Sequence, residues 1–305
     1  MGSIRAISKE LIYIQMFKYY GLLPLQGFFT PKSIAGARKR NIKRVVDTVN
    51  HRAERVTDRK DFLHYILTTM ESEKGMSREE MNANAFSFSI AGSESLATLL
   101  SGFTYYILSH PEVYKKLVIE VRSTFNSKEH IQLSSINNLG YLNAVLLESL
   151  RIYPPVAVTL PRVVSYGGEV IDGRFVPSGT TVGVNHFACY HDPRNFHRPD
   201  DFLPQRWLPE TKDHTPFDKD NRNCLQPFSF GPRNCLGKNL AWAEMRMIIT
   251  NLLFHFDMEL DPGASQWLVD QKIFGFWVKP PLLVNLKRRG ISSSSRPTVD
   301  SQEGS

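Results

Sequence analysis

The stretch from Phe228 to Gly237 holds the side chain best placed for metal or covalent chemistry, Cys235, in a turn with glycines at 231 and 237. An apolar-striped segment begins directly after it, with Leu240, Ala241, Met247, Ile248, Leu252 and Leu253 at helical spacing. Three chemistries fit a cysteine so placed: half of a disulfide, one ligand of a metal cluster, or a lone thiolate presented to a large group. The thiolate is the form that binds metal, and unpaired N–H groups at a helix start favour a nearby anion. The chain has three cysteines, Cys189, Cys224 and Cys235, with wide spacing and no C-x-x-C pair. Zinc-finger and iron–sulfur patterns are therefore absent, and a disulfide scaffold is unusual in a chain of 305 residues.

Two further groups of residues have types and spacing suited to chemistry or to buried charge. Glu94 and Ser95 follow Gly92 closely. An acid beside a hydroxyl can deliver protons, or the serine can simply bond back to its own helix. A glycine in mid-helix is costly relative to alanine, so Gly92 marks either close packing or the approach of a functional group. Glu148 and Arg151, three apart, share one side of a helix with Leu147 and neighbouring apolar residues. On a surface such a pair is worth little; the apolar company points to burial, where every charge needs partners. "PDDFLPQRW", residues 199 to 207, supplies a second guanidinium, Arg206. Nothing in the spacing alone says that the two arginines meet.

Helices are expected to carry most of these residues. Ser77 with Glu80 forms a capping-box pattern, and a helix is predicted from there to about Leu108, with Pro111 opening the next segment. Further helices are predicted over 112–124 and 138–152, the latter stopped by Pro154 and Pro155. Residues 35–60 read as a basic helix. The texture then changes: short apolar runs between Gly and Pro at 167–184 predict hairpins, as does 266–287 with "FGFWV". Residues 193–227 form a long connection without periodicity, of the kind that is functional or scaffolds something unusual. The Ser-rich tail, 289–305, is expected to be disordered, which leaves residues 1–288 as a single domain.

Composition bounds the partners. The formal charge is +7 and hydrophobic residues make up 42%, which allows a sizeable core and suggests an acidic partner or membrane surface. No aromatic interleaving or recognisable module accompanies the basic residues, so nucleic acid is excluded. No run of apolar residues is long enough to span a bilayer. The stretch at 11–29, interrupted by Lys18, reads either as contact with a bilayer surface or as packing against the body.

Taken together the residues resemble the cytochrome P450 superfamily, with the texture of microsomal-type fungal monooxygenases. Phe228, Gly231, Arg233, Cys235 and Gly237 match the haem-binding pattern F-x-x-G-x-R-x-C-x-G; Glu148 and Arg151 match E-x-x-R; Pro199, Phe202, Pro204, Arg206 and Trp207 match the segment whose arginine completes a Glu–Arg–Arg network; Ala91, Gly92, Glu94 and Ser95 match the oxygen-activation helix. The patterns occur in family order. The likeness is read from about residue 20 to 287 and as only the C-terminal half to two-thirds of a usual member. The expected fold is therefore mainly α with small β-sheets, the C-terminal portion of the cytochrome P450 fold, in a truncated chain. Ser95 departs from the family's usual threonine; it keeps the hydroxyl and loses the methyl that restrains its rotamer.

The resemblance implies haem b with Cys235 as thiolate axial ligand. It implies propionate contacts from Arg233 and Arg162, room for dioxygen at Gly92, proton relay by Glu94 and Ser95, and a structural role for Glu148, Arg151 and Arg206. Val156, Leu160, Phe274 and Phe276 resemble substrate-lining positions, with ordinary core packing as the alternative. The implied reaction inserts one oxygen atom from dioxygen into a lipophilic small molecule of secondary metabolism, with electrons from NADPH through NADPH-cytochrome P450 reductase. A haem-thiolate rearrangement or dehydration, and an inactive fragment, are the competing readings. Association with the endoplasmic reticulum membrane and peripheral membrane contact are implied by family resemblance only.

Overall fold

A computed structural model describes residues 13–70, 72, 75–211 and 215–290. The expected tail falls almost wholly outside these residues, as does the start of the 11–29 stretch. A short helix α1 (Gln26–Phe29) precedes the basic helix α2 (Lys32–Glu54), and α3 (Phe62–Thr69) is capped by Asp61, whose carboxylate accepts from the His64 N–H. Residues 13–29 pack little against the body. Phe17 is buried, but Tyr19, Tyr20, Phe28 and Phe29 are exposed.

Helix α4 (Arg78–Ser109) starts at the capping box: Ser77 Oγ accepts from Glu80 N at 3.2 Å and Glu80 Oε2 accepts from Ser77 N at 2.9 Å. Two of the helix's orphan donors are satisfied reciprocally. Pro111 opens α5 (Pro111–Thr124), where its missing N–H is no loss. After a short α6 (Leu133–Ile136) comes α7 (Gly140–Ile152), whose first N–H groups at Tyr141 and Leu142 donate to the Glu120 carboxylate at 2.7 and 2.8 Å. A carboxylate at a helix N-terminus complements the helix dipole. The last long helix, α9 (Lys238–His255), follows the cysteine turn; α8 (His186–Tyr190) is short.

The core lies between α4, α5, α7 and α9. Leu99, Phe103 and Ile107 meet Leu117 and Val121, Leu142, Val145 and Leu146, and Met245, Ile249 and Leu253 in one buried cluster. The cluster fixes the axial position of α9 and hence of the turn that precedes it. Glycine makes one approach in this core possible: a Cβ at Gly102 would lie 2.2 Å from Tyr153 Cδ1.

The strands form four separate antiparallel pairs: β1 (Arg162–Val163) with β4 (Thr181–Val182), β2 (Glu169–Ile171) with β3 (Arg174–Val176), β5 (Phe256–Leu260) with β8 (Val284–Arg288), and β6 (Lys272–Phe274) with β7 (Phe276–Val278). The architecture is mainly α with small sheets. Strand β5 had no counterpart in the sequence reading, which placed strands only within 167–184 and 266–287. Helix α9 stops there because Arg122 takes the carbonyls of Leu253 and Phe256, both at 2.9 Å, while the chain turns to pair Phe256 with Arg288. In the β6–β7 hairpin Phe274 pairs with Phe276 across Gly275, whose φ of +85° suits only glycine.

Candidate functional site

The turn bearing Cys235 is closed by a hydrogen bond from its own N–H to Phe228 O at 2.8 Å. Positive φ at Ser229 and Gly231 folds the chain back tightly enough for that contact. The Phe228 ring is half-buried against Trp242 at 6.1 Å, which anchors the turn to α9. Gly237 is the N-cap of α9 and contributes no side-chain cap. Its ideal Cβ would touch Cys235 Sγ at 3.9 Å, so the sulfur sits over the open start of an 18-residue helix. Cys235 itself is exposed, and so are Phe230, Leu236 and Leu240 beside it.

No cysteine is paired with another. Cys189 and Cys224 pack against Tyr190, Phe196 and Leu225 in a separate small cluster. Burial, helped by the neighbouring Cys189, pushes the Cys224 thiol up to about 12, which keeps it protonated and a poor ligand. Among the described residues no three His, Cys, Asp or Glu side chains gather as a metal site. A metal at Cys235 would therefore have to bring most of its ligands with it.

Helix α4 presents two unlike faces. A Cβ at Gly92 would meet no atom within 4 Å and the residue is exposed, so close packing is not the reason for this glycine. Ser95 lies about 60° round the helix from Gly92, and Glu94 about 160°. Ser95 Oγ bonds back to Ala91 O. Glu94 is buried and its Oε1 accepts from Lys279 Nζ at 3.0 Å; the same ammonium donates to Thr98 Oγ1 at 2.7 Å. Glu94 and Ser95 are thus neighbours in sequence whose polar atoms are engaged in different places.

Glu148, Arg151 and Arg206 are brought together, all with 0% exposure. Arg151 grips Glu148 through Nε at 2.9 Å and Nη2 at 2.8 Å, and Arg206 Nε approaches Glu148 Oε2 at 3.1 Å. Trp207 Nε1 at 2.8 Å and the Leu203 N–H at 2.9 Å complete the carboxylate's shell. Arg151 also donates to the carbonyls of Tyr190, Pro199 and Asp201, and Arg206 to that of His197, which holds the aperiodic 193–227 connection against α7. A fourth charge, Asp220, pairs with Arg206 Nη1 and accepts from the His197 N–H at 2.6 Å. Sequence reasoning missed Asp220, which sits in a segment without periodicity. It also missed Lys279. Thr98 was readable, since it stands one turn beyond Glu94.

Arg162 reaches the cysteine turn from β1, with Nη2 3.4 Å from Ser229 Oγ, and Arg233 is exposed within the turn itself. Val156, Phe274 and Phe276 are half-buried, and Leu160 is exposed. Trp277 ties the β6–β7 hairpin to the 154–156 segment by donating to Pro154 O at 2.7 Å while stacking on Tyr153 at 4.4 Å.

One exposed sulfur at an uncapped helix start, with apolar side chains and arginines beside it, can hold a group that brings its other metal ligands with it. Comparison with known proteins agrees. A family model described as Cytochrome P450 matches residues 7–286, and the chain belongs to that family. Family membership implies haem held through a cysteine thiolate. Relatives include the cytochrome P450 monooxygenase astA of Talaromyces wortmannii, 45% identical over 94% of this chain and 57% of its own length. The cytochrome P450 monooxygenase traB of Penicillium crustosum is 44% identical over 91% and 53%, and an averantin hydroxylase of Dothistroma septosporum 42% over 96% and 55%. The chain spans about half the length of these curated relatives.

Two expectations are corrected by the match. The likeness was read as confined to the C-terminal half to two-thirds of the family and to the C-terminal portion of its fold, starting near residue 20. It runs instead from residue 7 to 286, almost the whole chain. The motifs that carried the reading all lie after residue 90, whereas α1 to α3 carry only amphipathic pattern, which many families share.

Proposed function

We propose that the protein is a haem-thiolate monooxygenase that oxidises a lipophilic small molecule of secondary metabolism. The observation that carries the reading is the Cys235 turn, with an exposed sulfur 3.9 Å from the Gly237 Cβ position at the open start of α9. The haem, when bound, supplies activation of dioxygen, with one oxygen atom entering the substrate, the other leaving as water, and electrons coming from NADPH through a reductase.

The chain's own residues do the rest. Cys235 would hold the group, and the backbone hydrogen bond from its N–H to Phe228 O fixes the turn that carries the sulfur. Gly92 leaves an unfilled space on α4. Ser95 and Glu94 hold and move protons, with the Ser95 hydroxyl on the side of the helix nearer Gly92. Arg162 and Arg233 would pair with the group's carboxylate arms. Val156, Leu160, Phe274 and Phe276 exclude water and orient an apolar substrate. Glu148, Arg151 and Arg206 act structurally, by holding the 193–227 connection that leads into the cysteine turn.

Arg233 and Lys238 are exposed beside the sulfur and suit an acidic flavoprotein such as NADPH-cytochrome P450 reductase. Among the described residues no helix is long and apolar enough to cross a membrane. Exposed Tyr19, Tyr20, Phe28 and Phe29 next to basic α2 support peripheral contact with an anionic membrane, and endoplasmic reticulum association follows from the family.

The test is a carbon-monoxide difference spectrum of the reduced, haem-supplied protein beside Cys235→Ala. A strongly red-shifted Soret band in the first and none in the second is expected. No such band in soluble, haem-supplied protein, or the same band in the variant, overturns the reading.

A further inference from the structure

The two cysteines outside the functional site lie together. Cys189 is in α8, and Cys224 ends the single turn Arg222–Cys224, so they stand near the two ends of the aperiodic 193–227 connection. Both are half-buried against Tyr190, Phe196 and Leu225, and the Cys224 thiol is hydrogen-bonded to Cys189. Further hydrogen bonds flank the pair on both sides. Asn195 Nδ2 donates to Cys189 O at 3.0 Å and stands 3.6 Å from Cys189 Sγ, while the Asn221 N–H donates to Asn195 O at 2.7 Å. On the other side the Gln226 N–H donates to Tyr190 Oη at 3.0 Å. The buried charge cluster grips both segments: Arg151 Nη1 donates to Tyr190 O, and Arg222 Nε to Arg206 O, each at 2.9 Å.

We propose that Cys189 and Cys224 form an oxidation site, which hydrogen peroxide closes into a reversible disulfide tying α8 to the end of the 193–227 connection. The Cys189 sulfur accepts from Asn195 Nδ2 and from the Cys224 thiol, whereas burial keeps Cys224 protonated. The first attack on the peroxide therefore falls to Cys189. Its sulfur takes one peroxide oxygen, the O–O bond breaks, and the other oxygen leaves with the thiol proton as water. The Cys224 sulfur then displaces hydroxide from that sulfenic acid, and the hydroxide takes the Cys224 proton as a second water. Two electrons pass from the pair of sulfurs to the peroxide, and one S–S bond replaces two S–H bonds.

The flanking bonds already hold the two segments side by side, which replaces a chance encounter of two thiols by a pre-oriented one. The new link closes the connection into a loop with Arg206 and Asp220 inside it. A cross-link restricts the unfolded chain, and does so more for a longer loop. The connection leads into the Cys235 turn, so oxidation stiffens the scaffold behind that turn without using its sulfur. The role stands apart from the monooxygenase reading, because neither sulfur belongs to that site.

In the experiment the full chain is treated with hydrogen peroxide, alkylated, digested and mapped by mass spectrometry, with and without dithiothreitol, beside Cys189→Ser and Cys224→Ser. The expected product is one peptide pair joined through Cys189 and Cys224, lighter by two hydrogens and separated by dithiothreitol. Oxidised wild type is expected to melt about 5 °C above the reduced protein, with no such shift in either serine variant. Both cysteines still open to alkylation after peroxide, oxygen added to either without a cross-link, or a link made through Cys235 instead overturns the proposal. So does a melting point that oxidation leaves unchanged in wild type, or raises equally in the serine variants. If a serine variant fails to fold, wild type decides alone: a melting shift that dithiothreitol does not reverse overturns the proposal.

Discussion

Replacing Glu148 by glutamine keeps the side chain's volume and removes one charge from a cluster with no access to water. Glu148 accepts from Arg151 Nε and Nη2, Arg206 Nε, Trp207 Nε1 and the Leu203 N–H. Glutamine keeps one oxygen for part of this set and turns an NH2 group toward a guanidinium. Arg206 retains Asp220, but Arg151 is left with carbonyls alone. Removing one member of a buried ion pair costs about 3–5 kcal/mol, and the surviving Asp220 places this case near ~3 kcal/mol. That is roughly a hundredfold in the unfolding constant, taken from a total of about 5–15 kcal/mol for a domain. Urea unfolding followed by tryptophan fluorescence measures it directly, since Trp207 is itself a partner. Haem content gives the second readout: Glu148→Ala, which removes every acceptor, is expected to abolish haem incorporation. A loss under about 1 kcal/mol, the level of exposed pairs, together with normal haem content in Glu148→Ala, would refute the reasoning.

The two glycines of α4 should behave oppositely. Gly102→Ala drives a Cβ to 2.2 Å from Tyr153 Cδ1 and is expected to destabilise by about 1–3 kcal/mol, whereas Gly92→Ala meets nothing and should stabilise the haem-free protein by up to about 1 kcal/mol while weakening haem binding; thermal melts with and without haem separate the two. Acid should cost stability through His186 and His191. Burial holds both imidazoles below their ordinary 6.5, against a raising hydrogen bond to Val156 O and Phe187 O respectively. The unfolded chain then binds the extra protons, so the contribution is complete above pH 6.5 and is lost as pH falls below it. Unfolding free energies that are flat across this range in wild type, or that fall as much in a His186→Gln, His191→Gln variant as in wild type, would sink this assignment.

Local signals were legible wherever one element contains its own explanation. The capping box at Ser77 and Glu80, the prolines after α7, and the hairpins at 169–176 and 272–278 are written in neighbouring residues, and backbone hydrogen bonding enforces them without distant help. The cysteine turn belongs to the same class, because its closing bond spans seven residues, Cys235 to Phe228. The pairing of Glu148 with Arg151 was equally open to inspection, since a helix puts such residues on one side.

What depended on distant contacts stayed hidden. Strand β5 exists because β8 and Arg122 are there to end α9, and no five-residue run can announce a partner 28 residues further on. Asp220 became the counterion of Arg206 only when the 193–227 connection folded back, for an aperiodic segment has no register to read. The two glycines of α4 look alike on paper; one lies under Tyr153 and the other faces open space. The same holds for Glu94. Its place beside Ser95 is a matter of sequence, but the direction of its carboxylate is set by Lys279, 185 residues away. A side chain's type and neighbours say what it can do; a low-dielectric contact brought in by the tertiary fold settles which of those things it does.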